Sequence, residues 1–333
     1  MAKIVNKMKA DEIQHSLEEY SNFIETINFP KMCVLSFVYV CNAKCPGCPY
    51  TISDIRNKYH DALFMPDSLF KKIADECGKY GSYIRLSGGG EPMMHPHAVE
   101  LIEYAKKQGA KVGLITNGSL FNEEKARRIL SAQIDMIEFS VDACDSENYS
   151  RVRAGLNFDT LVKNVSMVMK IRNEINSTTR IIASAINQDG INLNDVETYW
   201  KERVDYVQLR KFLTWGFGDE TKSGDDVAYL EPEKNIPCPW LFERLNIDTR
   251  GQVTLCGYDI PFNNNLGNVS EQSIYSVWHN ETFENIRKLH LSGRKNEVEI
   301  CKTCKDGRYR TWTYNYFKLV ENAENNRKNF LED

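Results

Sequence analysis

Apolar positions along this chain follow two alternating rhythms. Short apolar runs occupy residues 34–40, 83–86, 111–115, 136–141, 180–186 and 206–209. Runs of this length, bounded by polar or glycine residues, predict strands. Between them the apolar residues fall at helical spacing. Leu69, Phe70, Ile73, Ala74 and Cys77 make one stripe. Phe158, Leu161, Val162, Val165, Val168 and Met169 make another, with Asn157 at its predicted N-cap. Six such repeats predict an α/β fold, a parallel sheet with helices outside. Right-handed crossovers curl it into a partial (β/α)6 barrel. In a barrel the chemistry gathers at the C-terminal ends of the strands.

The rhythm changes after residue 215. Gly216, Gly218 and Gly224 stand among acidic residues with little periodicity, which reads as a linker over 216–237. Residues 245–248 and 253–255, joined across Thr249-Arg250-Gly251, predict a hairpin. A helix follows, with Ile274, Val277 and Trp278 on one face. The expected organisation is a helical extension over 1–30, the barrel over 31–215, the linker, a small domain of hairpin plus helix over 238–318, and a polar tail over 319–333.

The charge balance narrows the partners. There are 46 acidic and 42 basic side chains, for a net charge of -4, which argues against a nucleic-acid backbone as the main partner. No apolar run is long enough to span a membrane, and no export signal precedes the first strand, so a cytoplasmic location is expected. In that compartment ten cysteines suit metal ligation or burial better than disulfides.

Seven of the cysteines form two sets. Cys41, Cys45 and Cys48 lie in a Cys-x3-Cys-x2-Cys run directly after the first strand. A [4Fe–4S] cluster takes four ligands, so three thiolates leave one iron open to a small molecule. Zinc or a thiol redox pair is the alternative, but zinc favours four protein ligands and no fourth lies nearby in sequence. Cys238, Cys256, Cys301 and Cys304 form a Cys-x17-Cys-x44-Cys-x2-Cys set. Four thiolates suit a closed [4Fe–4S] cluster or a structural zinc equally well by spacing. Of the rest, Cys33 and Cys77 are expected in the core. Cys144 follows the fourth strand and is a candidate hydrogen-atom donor to a substrate radical. None of the six histidines shows ligand spacing.

Strand ends carry further motifs: Gly88-Gly89-Gly90-Glu91-Pro92, Thr116-Asn117-Gly118, Ser140-Val141-Asp142-Ala143, and Arg153 in Arg151-Val152-Arg153-Ala154-Gly155. With the three-cysteine run, they resemble the radical S-adenosylmethionine (radical SAM) enzymes. The resemblance implies a [4Fe–4S] cluster on Cys41, Cys45 and Cys48. It implies that Gly89, Gly90 and Glu91 hold the methionyl amine, that Asn117 and Ser140 face the cofactor, that Arg153 lies near its carboxylate, and that Ile186 touches adenine. Relatives often carry an aromatic residue just before the third cysteine, against adenine. Here that position is Gly47, and Tyr50 is the candidate replacement. Arg210 and Lys211 end the sixth strand, where a barrel places substrate contacts; a salt bridge is the structural alternative.

The second cysteine set sits among Gly251-Gln252-Val253-Thr254-Leu255-Cys256-Gly257-Tyr258-Asp259, Leu266-Gly267-Asn268-Val269 and Ser276-Val277-Trp278-His279-Asn280. This text resembles the SPASM/twitch auxiliary domains, most nearly their one-cluster form, as in family members that dehydrogenate aminocyclitols. The resemblance implies a second, closed [4Fe–4S] cluster. It further implies that a 5′-deoxyadenosyl radical, made from S-adenosylmethionine, takes a hydrogen atom from a small hydroxylated substrate: an aminocyclitol, sugar or nucleotide sugar. The auxiliary cluster then accepts an electron, giving an oxidation. An external one-electron donor of flavodoxin or ferredoxin type is expected. Epimerisation, dehydration and modification of a ribosomally made peptide are the alternatives within the class, and a non-enzymatic iron–sulfur or zinc scaffold is the alternative outside it.

Overall fold

The structure, a computed structural model, describes residues 28–52, 55–210, 212, 237–238, 240–259, 264–302 and 304. The expected N-terminal extension, the linker, the polar tail and Lys211 lie wholly or largely outside these residues. Six strands run in parallel: β1 (Met32–Leu35), β2 (Tyr83–Leu86), β3 (Lys111–Thr116), β4 (Met136–Ser140), β5 (Arg180–Ile186) and β6 (Tyr206–Arg210). Each pairs with its sequence neighbour. The outer layer is built by α1 (Asp67–Tyr80), α2 (Ala98–Lys107), α3 (Glu123–Ser131), α4 (Ser146–Val152), α5 (Phe158–Glu174) and α6 (Leu193–Trp200).

The helices form where the apolar spacing asks for them. In α1 the buried residues are Leu69, Phe70, Ile73, Ala74 and Cys77, and Gly81 closes the helix in the left-handed region at φ 63°. In α5 the Asn157 side chain accepts the Thr160 amide at 2.8 Å, as its N-cap position predicts. Cys33 on β1 and Cys77 on α1 are both fully buried.

Two boundaries differ from the sequence expectation. The first strand ends at Leu35, not Val40. Beyond it the chain turns to a new partner: the amide of Tyr39 donates to Leu63, and that of Met65 to Phe37. The apolar run continues because residues 36–39 remain buried, not because they remain in the strand. The C-terminal hairpin also joins the barrel. Its strands β7 (Arg244–Ile247) and β8 (Val253–Thr254) pair antiparallel, and β7 runs parallel to β1. The result is an eight-stranded sheet in the order β6-β5-β4-β3-β2-β1-β7-β8. Two further helices, α7 (Ile274–Trp278) and α8 (Glu281–Leu291), complete this end. They are tied to the barrel by α1: Lys72 donates to the carbonyls of Ser270 and Gln272, and Glu76 accepts the Ile274 amide at 2.9 Å.

The inward faces of the strands carry two layers. Met32, Tyr83, Met136 and Ile182, with Val34 and Tyr206, form an apolar floor separate from the helix-packed core. Two residues further along β2 and β4 stand Arg85 and Glu138, and four along β6 stands Arg210. Glu138, only 1% exposed, pairs with Arg85 at 3.4 Å and with Arg210. These pairs reach across intervening strands. Small inward residues, Gly113 on β3 and Ser184 on β5, leave the space. Burial alone would raise the Glu138 pKa, but Arg210 and Arg85 outweigh it and hold the carboxyl below its usual range.

Candidate active site

The Cys41–Cys48 loop stands at the C-terminal end of β1, and neighbouring strand ends hold it in place. Glu91 begins this support. Its amide donates to the Val40 carbonyl at 2.9 Å, next to Cys41. Its carboxylate accepts the Thr116 hydroxyl and the Asn117 amide, both at 2.7 Å, and the Met93 amide at 3.1 Å. Burial raises the Glu91 pKa, and these three donors oppose the rise. Asn117 passes the contact on: its side-chain amide donates to Asn42 Oδ1 at 2.9 Å, and Asn42 donates to Ser119 at 2.8 Å.

The glycines before Glu91 bring backbone against backbone. A Cβ on Gly89 would stand 2.0 Å from the Val38 carbonyl oxygen, and one on Gly90 would stand 1.8 Å from that of Val40. Only glycine fits. The close approach is to the protein's own chain as it enters the cysteine loop.

Arg153 closes the loop from the other side. Its guanidinium pairs with Asp142 at 2.6 Å and lies 3.8 Å from the Cys45 sulfur. Burial disfavours its charge, but Asp142 and Cys45 more than compensate, so it stays cationic. Asp142 adopts the left-handed region at φ 50°, costly for a non-glycine residue. Its carboxylate holds the geometry by accepting the Ile186 amide at 2.8 Å as well as Arg153. The Lys44 amide donates to the Ala154 carbonyl at 2.7 Å, fastening the two loops together.

Burial pushes the Cys41 thiol up to about 11, and Glu91, Cys45 and Cys48 add to the rise. Burial raises Cys45 also, against the pull of Arg153. Ser140, Ile186 and Arg210 share the inward strand faces with Glu138, Ser184 and Gln208. The Tyr50 hydroxyl contacts Ser36 and the Gly89 amide, and burial pushes it up to about 12. The space beside Gly47 is taken by Phe212, whose ring would lie 3.2 Å from a Cβ there. Cys144 packs at the helical layer, and its electrostatic neighbours are Asp145 and Asp195, the latter on α6.

Sequence reasoning missed Asn42, Asp142, Tyr149 and Phe212. Tyr149 is fully buried, and its hydroxyl has no hydrogen-bond partner among the described residues. Its place on α4, four residues before the Arg153 that caps that helix, was the available signal. Phe212 continues the inward alternation of β6 by one more step.

The second set gathers from distant segments. The Cys301 thiol is raised by burial and then by Cys238, Cys256 and Cys304, so those three lie within electrostatic reach of Cys301. His290 on α8 is buried, and its Nδ1 accepts the Cys238 amide at 3.2 Å. Arg287 on the same helix donates to the carbonyls of Leu241 and Trp278 at 3.0 and 2.8 Å.

Both sets fit an iron–sulfur group. Buried thiols that repel one another's ionised forms are relieved by a cation that takes them as thiolates. Among the described residues no three His, Cys, Asp or Glu side chains converge closely enough for a single metal ion. At the first set, the Tyr149 hydroxyl and Arg153 Nε are buried without a hydrogen-bond partner among the described residues.

Known proteins give the same assignment. The model of the radical SAM superfamily matches residues 35–189, and that of the SPASM iron–sulfur cluster-binding domain matches residues 238–305. A probable GTP 3′,8-cyclase of Methanococcus maripaludis strain C5 is 29% identical over 294 residues, covering 87% of this chain and 94% of the relative. Its counterpart in strain C7 is 26% identical over 231 residues, covering 68% and 74%. Among solved structures, BtrN in complex with AdoMet and 2-DOIA aligns with a TM-score of 0.54 at 17% identity, covering 84% of this chain and 98% of that one. Streptococcus suis SuiB bound to precursor peptide SuiA aligns with a TM-score of 0.65 at 13% identity, covering 86% and 74%. At these identities the solved structures establish the fold. Together with the two cysteine sets, these matches show that the chain carries a radical SAM domain and a C-terminal SPASM-type domain and is an enzyme of S-adenosylmethionine and two [4Fe–4S] clusters.

Proposed function

We propose that this enzyme is an oxidoreductase that dehydrogenates a small hydroxylated substrate, an aminocyclitol, sugar or nucleotide sugar. The observation that carries the reading is the pairing of an open three-thiol set with a closed four-thiol set in one chain. The first cluster with S-adenosylmethionine supplies a 5′-deoxyadenosyl radical, and the second supplies an electron acceptor.

The chain's own residues do the rest. Cys41, Cys45 and Cys48 hold the first cluster. Cys238, Cys256, Cys301 and Cys304 hold the second. Glu91 and the Gly89–Gly90 backbone face the methionyl amine, and Arg153 faces the carboxylate. Asn117 holds the cysteine loop through Asn42. Ser140, Ile186 and Arg210 line the inward strand ends where adenosine and substrate meet. The apolar floor below closes the barrel to water from beneath. An external flavodoxin- or ferredoxin-like protein supplies the reducing electron.

The position of Cys144 favours oxidation over epimerisation. Its neighbours Asp145 and Asp195 place it by α6, in the helical layer, where a thiol is poorly placed to return a hydrogen atom. The test is anaerobic turnover of reconstituted enzyme with S-adenosylmethionine, dithionite and a panel of polyols and aminocyclitols. One 5′-deoxyadenosine per carbonyl product is expected. Solvent deuterium at the reacting carbon, with no carbonyl formed, would replace this reading with the epimerase.

A further inference from the structure

The C-terminal hairpin does more than extend the sheet. Its tip also grips the segment that leaves the first cysteine loop. Asp248, directly after β7, is fully buried. Its Oδ1 accepts the amides of Arg250 and Gln252 at 2.9 and 2.8 Å, which shapes the tip. Its Oδ2 serves the other segment and accepts the Tyr59 hydroxyl at 2.7 Å. The next residue, Thr249, donates its hydroxyl to the Ala62 carbonyl at 2.7 Å. Arg250 donates to the Lys58 carbonyl at 3.0 Å and pairs with Asp61. Its guanidinium also lies over the Tyr59 ring, 4.6 Å from the centroid. Consecutive residues of the tip thus all hold residues 58–62.

Tyr59 carries this grip to the other end of the loop. Its ring, fully buried, stacks on that of Tyr39 with centroids 4.0 Å apart. Tyr39 stands just before Cys41 in the chain, and Tyr59 stands after Cys48. The Tyr39 amide adds a bond to the Leu63 carbonyl at 2.8 Å. The segments entering and leaving the cysteine loop therefore lie side by side, and the hairpin tip fastens the pair. A buried carboxylate is costly unless its oxygens are bonded. Asp248 gives one oxygen to the tip and the other to Tyr59, so it is satisfied only while the two segments are together.

We infer that Asp248, acting through Tyr59, is a positioning residue for the first cluster: the hairpin that leads into Cys256 holds the two ends of the Cys41–Cys48 loop at the spacing the cluster needs. This rests on iron at the first cysteine set, not on the substrate or the oxidation. The C-terminal domain then has a second task besides carrying its own thiols.

The test is anaerobic iron release from the two-cluster protein to a ferrous chelator, which reaches buried iron through local opening. The phases of release are assigned with Cys41→Ala, which lacks the first cluster, and Cys301→Ala, which lacks the second. Tyr59→Phe removes the hydroxyl and keeps both the ring stacking and the tip's own bonds. It should release iron from the first set about tenfold faster, the weight of one hydrogen bond to a charged group. The second set should release iron at the wild-type rate. Thr249→Val removes a contact from the hairpin side and should speed release from the first set about fivefold, as for a bond between neutral groups. Asp248→Asn keeps the tip acceptor and donates its amide to the Tyr59 oxygen, so it should stay close to the wild-type rate. Unchanged release from the first set in Tyr59→Phe and Thr249→Val overturns the inference. So does equal acceleration at both sets, which reports a general loosening of the fold. An Asp248→Asn rate as fast as that of Tyr59→Phe also overturns it, by separating the effect from this bond. None of these results touches carbonyl formation, the separate measure of the proposed dehydrogenation.

Discussion

The two cysteine sets solve the same ligation problem in opposite ways. The first takes three thiols from eight consecutive residues and holds them from outside, through Asn42, Glu91 and Arg153. The second takes four thiols from segments up to 66 positions apart and holds them by tertiary packing around α8. A local loop can leave a coordination position empty because neighbouring strands, not the metal, define its shape. A closed set assembled from distant segments makes the metal itself a tie between them. The first arrangement suits a reactive site, the second a structural electron store.

Removing one thiol from each set is the sharpest way to break this comparison, and the largest effect is expected here. Cys41→Ala should lose roughly half the iron, as one of two four-iron clusters. It should abolish 5′-deoxyadenosine release while the thermal transition stays near that of wild type. Cys301→Ala should lose the other half. It should still release 5′-deoxyadenosine with dithionite, form no carbonyl product, and melt earlier, because the tie between the segments that carry Cys238, Cys256 and Cys301 is gone. Iron analysis, product chromatography and calorimetry on the two variants decide it. An equal loss of melting temperature in both would erase the distinction.

Much of this was legible in the sequence, and for a physical reason. A three-thiol loop is a local object, so Cys41, Cys45 and Cys48 reveal it by spacing alone. The helix faces of α1 and α5 and the Asn157 cap are local too. What stayed hidden depends on contacts across the fold. The hairpin β7–β8 reads correctly as a hairpin, but its parallel pairing with β1 belongs to the sheet edge. Glycines 89 and 90 read as a ligand cradle, and their close approach to Val38 and Val40 is a second demand for glycine that only the fold reveals. Arg210 reads as a substrate contact, and its pairing with Glu138 across β5 has no trace in either strand alone.

That ion layer separates the two sites a second time. Glu138 lies under the first set and is remote in sequence from the second. Replacing it by Gln leaves Arg85, 13% exposed, and Arg210, 30% exposed, without their carboxylate. Solvent reaches Arg210, so the cost falls below the roughly 3–5 kcal/mol of a fully buried pair. Because Arg210 and Arg85 depress the folded pKa, the pair stabilises the protein fully above the ordinary value of 4.5. That stability is lost as the pH falls through the depressed folded value. Glu138→Gln should therefore flatten the acid limb of stability measured by urea unfolding between pH 3 and 7. Iron at the first set should fall while iron at the second holds. Loss of both in parallel would show that the barrel and the hairpin end fail as one unit.

The smallest effect concerns the ring beside the cysteine loop. Gly47 has no backbone need for glycine, since its φ is not in the left-handed region. It is small because Phe212, 6% exposed, fills the adjacent space from the extension of β6. A local loop has here borrowed its aromatic wall from a distant strand, the habit of the second set appearing in the first. Gly47→Phe should cost about 1–3 kcal/mol through overpacking. In a Phe212→Ala background the same substitution should cost less, because the new ring enters the vacated space. The coupling between the two positions should reach about 0.5–3 kcal/mol in a double-mutant cycle read by urea unfolding. Strict additivity would mean that the two positions do not share that space, and would return the wall of this pocket to the loop alone.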